Sequence, residues 1–133
     1  MKKLHRFGVS LDSELLKKFD ELIKEKKYTN RSKAIADLIR QEFVKEQWTK
    51  GGKIAGAITL VYDHHKRELV DKLMDIQHDF QKAIVSTQHI HLDHDNCLEI
   101  IAVRGNSPEI KKLADTLKAM KGVKHSTLSV TAS

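Results

Sequence analysis

Four of the chain's eight histidines and its only cysteine fall between Gln77 and Cys97, in the stretch QHDFQKAIVSTQHIHLDHDNC. Imidazole and thiolate together suit a borderline or soft transition metal far better than magnesium or calcium. His89 and His91 are two apart on an expected strand, so their rings share one face. Cys97 opens the next strand, and a short antiparallel turn brings its sulfur beside that pair. His78 lies on the preceding helix. Three nitrogens and one sulfur make a four-ligand set that fits tetrahedral zinc, and equally square-planar nickel(II) or copper(II). Such a set leaves no open coordination position and no placed general base, which argues against a metal-dependent hydrolase. Taken singly, a histidine is ordinarily a surface or core-edge residue and a cysteine a small buried hydrophobe. His5, His64, His94 and His125 keep that plain reading. Spacing leaves open whether one chain supplies all four ligands.

The elements that must position these residues follow from periodicity. Residues 54–62 are a β-rich apolar run. Asp63 is expected to cap a helix from about His65 to Ile84, with Leu69, Leu73, Ile76 and Phe80 on one face. Residues 86–92 and 98–104 read as strands joined by a turn over Asp93 to Asn96. Ser107 as cap and Pro108 at the first helical position start a helix that ends at Gly122, and residues 123–131 form a last strand. The order βαββαβ is that of a ferredoxin-like split unit, as in small ACT-type regulatory domains. Fold alone names no ligand, so an ACT-type small-molecule-sensing regulator with an incidental zinc or copper site stands as the alternative reading.

The first fifty residues have a different character. They carry 13 Lys/Arg against 8 Asp/Glu, whereas the rest carries 11 against 10. A basic segment ahead of a nearly neutral body suggests an arm for a polyanion, nucleic acid first. Leu4 to Leu11 alternates, with Phe7, Val9 and Leu11 on one side and Arg6, Gly8 and Ser10 on the other, as in a half-buried strand. Asp12 caps a helix to about Lys26 with the stripe Leu15, Leu16, Phe19, Leu22 and Ile23. Asn30 caps a second helix whose expected buried stripe is Ala34, Ile35, Leu38, Ile39, Phe43 and Val44. A lone strand has no hydrogen-bonding partner within such a unit. Pairing with the same strand of a second subunit makes a two-stranded ribbon that fits the DNA major groove, with Arg6, Gly8 and Ser10 outward. Asn30 and Arg31 open the second helix, where free amides favour a phosphate. The sequence WTKGGK then reads as a linker. The expected fold class is α+β: a DNA-binding and dimerisation domain over 1–48, a linker over 49–53 and a metal-binding domain over 54–133, to which the resemblance described next adds tetramerisation.

The segments RFGVSLD and YTNRSKAIADLIR resemble the ribbon-helix-helix class of DNA-binding proteins over roughly residues 4–45. With the ACT-like domain and the His-(x10)-His-x-His-(x5)-Cys pattern, the chain resembles the nickel-responsive transcriptional repressors along essentially its whole length. VYDHHKREL, TQHIHLDHDNCLEI and GVKH carry the match. The resemblance implies a homotetramer, a dimer of dimers, that binds a palindromic double-stranded operator when nickel is bound. It implies one square-planar nickel(II) per subunit, held by His89, His91 and Cys97 of one subunit and His78 of a neighbour. Tyr62 and Glu99 match positions whose hydrogen bonds orient the ligands, and Lys66 and Arg67 match positions that touch the DNA backbone. Cys97 must lose its proton to ligate, so metal affinity rises with pH. Members of the family hold a second cation, often potassium, between their two domains. Asp37 matches one of its ligand positions but Lys33 stands at the other, which implies that the ion is absent or replaced by the lysine ammonium.

Composition adds exclusions. No apolar run approaches a membrane span, and the basic N-terminus lacks the apolar stretch of a signal peptide. One cysteine cannot form an internal disulfide, which points to a reducing cytoplasm. Aromatics make up 5% of residues, so each small core is thin and oligomerisation is the expected remedy. Neither an enzymatic activity nor a small-molecule substrate is expected.

Overall fold

Alternation along two central strands underlies the larger part of the protein. In a computed structural model that describes residues 2–132, β1 (Lys53–Asp63), α3 (Arg67–Asp79), β2 (Ile84–His91), β3 (Asn96–Asn106), α4 (Ser107–Lys118) and β4 (Val123–Ala132) follow in order. The strands form one antiparallel sheet, ordered β2-β3-β1-β4. This is the ferredoxin-like arrangement expected for an ACT-like domain. Ile54, Ile58 and Leu60 of β1, with Ile101 and Val103 of β3, are buried together with Leu73 of α3 and Ile110, Leu113 and Leu117 of α4. Burying each such side chain contributes about 1.5–3 kcal/mol.

Boundaries shift where local hydrogen bonds differ from the expected caps. Asp63 does not cap a helix directly; its Oδ1 accepts the His65 amide at 2.9 Å, forming a turn before α3 opens at Arg67. The helix also ends earlier than expected, at Asp79, in a turn that leads to β2. Ser107 is not the cap of α4. Asn106 occupies that position, and the buried Ser107 hydroxyl donates to the Trp48 carbonyl at 3.0 Å. Gly122, at φ +102°, turns the chain into β4, and a Cβ there would stand 2.8 Å from Leu69 Cδ2.

The chain separates into two compact units, Met1–Gln41 and Glu42–Ser133. In the first, α1 (Ser13–Glu25) is capped by Asp12, whose carboxylate accepts the Leu15 amide at 2.8 Å. It closes through Lys27 at φ 63°, with the Tyr28 amide donating to the Ile23 carbonyl. α2 (Arg31–Lys50) starts from Asn30, whose Oδ1 accepts the Lys33 amide at 2.8 Å. It continues to Lys50, into the stretch expected to be linker, because nothing before Gly51 breaks it. Gly51, at φ +81°, ends it, and Lys53 already opens β1.

Two expectations for this segment do not hold within a single chain. Residues 2–12 form no strand, and Leu4, Phe7 and Val9 are exposed. The stripe of α2 is not buried either: Ala34 is, but Leu38, Ile39 and Phe43 are exposed. The physical reason is the same for both. A lone strand has no ladder to join, and two helices alone offer the stripe no opposing surface.

Candidate metal centre

The sheet register assembles the site. His91 stands opposite Cys97, which stands opposite Tyr62; His89 stands opposite Glu99. Residues directly opposite project to the same side, and positions two apart repeat it. Five side chains therefore face the side on which α3 packs. The last turn of α3 adds Gln77 and His78. All seven line one cavity of about 640 Å³, together with His64, Leu73 and Met74. The four sequence-predicted ligands thus border a single space.

At the base of this cavity lies Glu99, which is 2% exposed. Its Oε1 accepts the Tyr62 hydroxyl at 2.7 Å and its Oε2 accepts the Gln77 amide at 2.7 Å. His89 Nε2 approaches Oε1 at 3.2 Å. Burial, and then the hydrogen bond to Glu99, push the Tyr62 hydroxyl well above the ordinary tyrosine range. Tyr62 therefore stays a neutral donor to the carboxylate. Cys97 is buried beside the Tyr62 hydroxyl, and its Sγ makes a weak contact with the Leu98 carbonyl at 3.8 Å. His89 and His91 are on an edge strand and remain exposed.

The donor set fits a borderline transition metal: three imidazoles, one thiol and room for an ion, with a buried carboxylate to orient a ring. Within one chain the set does not close. Among the described residues, one group of three or more His, Cys, Asp or Glu donors brings its atoms within 4.8 Å of one another, and it is His65, His94 and Asp95. Sequence reading gave His94 no role and passed over His65. It also gave His64 a plain surface role, yet that ring borders the cavity and stacks on His91 at 4.7 Å. The doublet His64-His65 was the available signal.

The predicted DNA contacts fall into three groups. Arg6, Gly8 and Ser10 lie exposed in the extended segment, and a Cβ on Gly8 would meet nothing within 4 Å. Asn30 is committed to its capping bond, and Arg31 forms a two-pronged pair with Asp20 at 2.9 and 2.8 Å. That pair holds the Asp20 carboxyl below the usual carboxylate range. Lys66 and Arg67 open α3 and share a depression with Lys72 and Lys121, neither of which was anticipated. At Asp37, Lys33 Nζ stands 2.7 Å and Arg40 3.0 Å from Oδ1, while the Tyr28 hydroxyl donates to Oδ2 at 2.9 Å. Foremost the Lys33 contact, then the Tyr28 bond, keep this carboxyl below its ordinary range. Both oxygens of Asp37 are thus engaged by side chains.

The model of the NikR C-terminal nickel-binding domain matches residues 55–131, and that of ribbon-helix-helix proteins of the CopG family matches residues 5–46. The chain belongs to the nickel-responsive regulator family. A relative from Syntrophus aciditrophicus, named as a nickel-responsive regulator, is 62% identical over 130 residues, spanning 98% of this chain and 95% of its own. One from Chlorobaculum parvum, named likewise, is 57% identical over 132 residues, spanning 99% and 98%. An uncharacterized Thermotoga maritima protein shares the fold of the sheet domain, at TM-score 0.54 and 14% identity over 59% of this chain and 96% of its own. Membership makes this chain a nickel-responsive transcription regulator that binds nickel and DNA. No helix among the described residues is long and apolar enough to cross a membrane.

Proposed function

We propose that this regulator is a repressor that binds a palindromic operator as a homotetramer, with one nickel(II) per subunit at the cavity bordered by His78, His89, His91 and Cys97. The placement of His89, His91 and Cys97 on one face of the sheet, opening on one cavity, carries the reading. His89, His91 and Cys97 come from one subunit and His78 from a neighbour. Two observations support this division: the four donors do not close within one chain, and the two histidines stand exposed on an edge strand where another chain can approach. The opposite face of the sheet presents half-buried Val61, Leu98 and Ile100, an apolar surface suited to packing between subunits.

Nickel, when bound, supplies bonds between donors of two subunits. Everything else is the work of the chain's residues. Glu99 takes the hydrogen bonds of Tyr62 and Gln77 and holds His89, so that its ring orientation is set before a ligand arrives. Tyr28, Lys33 and Arg40 neutralise Asp37 without a free ion. The exposed apolar side of residues 4–11 and of α2 is covered by the same elements of a second subunit, which forms the ribbon bearing Arg6, Gly8 and Ser10. Asn30, Arg31, Lys66 and Arg67 contact phosphates. Joining core subunits favours the arrangements in which both ribbons reach their half-sites, a shift of population.

The test is binding of the full chain to a palindromic promoter fragment with and without nickel, repeated on Cys97→Ala and His89→Ala. Nickel is expected to raise the affinity of the wild type and of neither variant. Equal affinity with and without nickel in the wild type overturns the mechanism.

A further inference from the structure

We propose that residues 47–52 are a clasp that fastens the end of α2 to the sheet unit, so that the freedom of the DNA-binding arm begins upstream of Gln47. By sequence alone, the pair Gly51-Gly52 suggests a loose joint. Its hydrogen bonds hold it fast. The Gly52 amide donates to the Gln47 carbonyl at 3.0 Å, and the Gly52 carbonyl accepts the Ser107 amide at 3.0 Å. The Ser107 hydroxyl, itself buried, donates to the Trp48 carbonyl at 3.0 Å.

Packing agrees with these bonds. Trp48 lies against the apolar core of the sheet unit. Gly51 takes φ +81°, which closes the helix in one defined turn, and a Cβ there would stand 3.6 Å from Pro108 Cγ. Lys53 then enters β1 directly, opposite Asn106 of β3. All of these contacts fall inside the compact unit Glu42–Ser133. Just upstream of the clasp, Glu42, Phe43, Lys45 and Glu46 are exposed. Backbone hydrogen bonds with little apolar burial around them open most readily, so residues 42–46 are where α2 gives way first.

The place of the clasp has a consequence for regulation. The two central strands run from it to the metal centre: Lys53 pairs with Asn106 at the clasp end, and Tyr62 with Cys97 at the other. At about 3.3 Å per residue the two ends are roughly 30 Å apart. A change in how the sheet units are joined therefore reaches the last turns of α2 as a rigid displacement, with no slack linker to absorb it. This regulatory role rests on the nickel-dependent reading above, whereas the clasp itself does not.

Trp48 is the chain's only tryptophan, so its fluorescence reports the clasp directly. The experiment compares the full chain alone, with nickel, and with nickel and promoter DNA, by iodide quenching and by hydrogen exchange. Quenching is expected to stay below that of free tryptophan and to be the same in each state. Exchange over 47–53 should be as slow as in β1, and faster over 42–46. Ser107→Ala should speed exchange over 47–53 about fivefold, the loss of one hydrogen bond. Gly52→Ala, whose Cβ would meet no atom closer than 3.6 Å, should keep the nickel-induced gain in DNA affinity within about twofold. Exchange over 47–53 as fast as in an unstructured peptide, a Trp48 exposure that changes on DNA binding, or loss of the gain in Gly52→Ala overturns the proposal. Failure of the nickel-dependent reading would instead appear as a wild type with a protected clasp and no gain in DNA affinity, so the two fail separately.

Discussion

The two units of this chain bury their apolar residues to very different extents. In the sheet unit Ile54, Ile58, Leu60, Ile101 and Leu113 are 0% exposed. In the helical unit Phe7, Val9, Leu15 and Leu38 are at least half exposed, and among the described residues Ile23 and Ala34 are the buried hydrophobic ones. One unit contains both sides of its core. The other contains one side and leaves its apolar stripe uncovered. The nickel-binding domain and the ribbon-helix-helix domain divide along the same line.

The largest expected effect tests the complete core. Ile101→Ala should cost about 2–5 kcal/mol, read as a fall in the denaturant midpoint of the full chain at unchanged slope. An effect below that range would mean that the sheet unit also takes its stability from outside itself. Glu99→Gln comes next. It weakens the acceptor shared by His89, Tyr62 and Gln77, and nickel affinity should fall about 10–100-fold, measured in competition with a chelator. Unchanged affinity would remove Glu99 from the metal centre.

The incomplete unit is broken differently. Phe7→Ser should abolish DNA binding while leaving nickel stoichiometry intact, because Phe7 is exposed in the helical unit, where the proposed second subunit covers it. Nickel uptake lost together with DNA binding would contradict the independence of the two units.

Smaller effects concern pH. Tyr62 titrates well above the ordinary tyrosine range in the folded chain. In the unfolded chain it ionises near 10. Between those two points the folded chain holds the extra proton, so the contribution of Tyr62 is full below about pH 10 and is lost as pH rises beyond it. Tyr62→Phe should flatten this alkaline loss of thermal stability. Asp93 is shifted the other way, first by the Asn96 side chain and then by the Asn96 and Asp95 amides. Its contribution is present above the unfolded carboxylate pKa and disappears as pH falls through the lower folded value. Asp93→Asn should therefore reduce the acid sensitivity of thermal unfolding slightly, the effect being limited by the exposure of the turn.

How much of this was legible in the sequence differed by feature. The strand alternation of β1 and β3 and the caps at Asp12 and Asn30 follow from periodicity and side-chain chemistry, and the structure has them. The turn ahead of α3 was misjudged because Asp63 has two nearby amides to serve and sequence does not rank them. Ser107 was misjudged because its acceptor, the Trp48 carbonyl, is 59 residues away in sequence. The cluster His65-His94-Asp95 was missed for the same reason: its members lie in two turns that only the sheet brings together.

The sequence by itself determined the kinds of donor, their alternation onto one face and the basic character of the arm, because these depend on residue type and local period alone. Only the tertiary structure decided that His78 borders the same cavity as Cys97, that Glu99 lies buried beneath His89, and that Lys33, Arg40 and Tyr28 together engage both oxygens of Asp37. Those are matters of distance between groups on different elements or successive helical turns. They follow from strand register, helix packing and rotamer choice, which one-dimensional spacing does not contain.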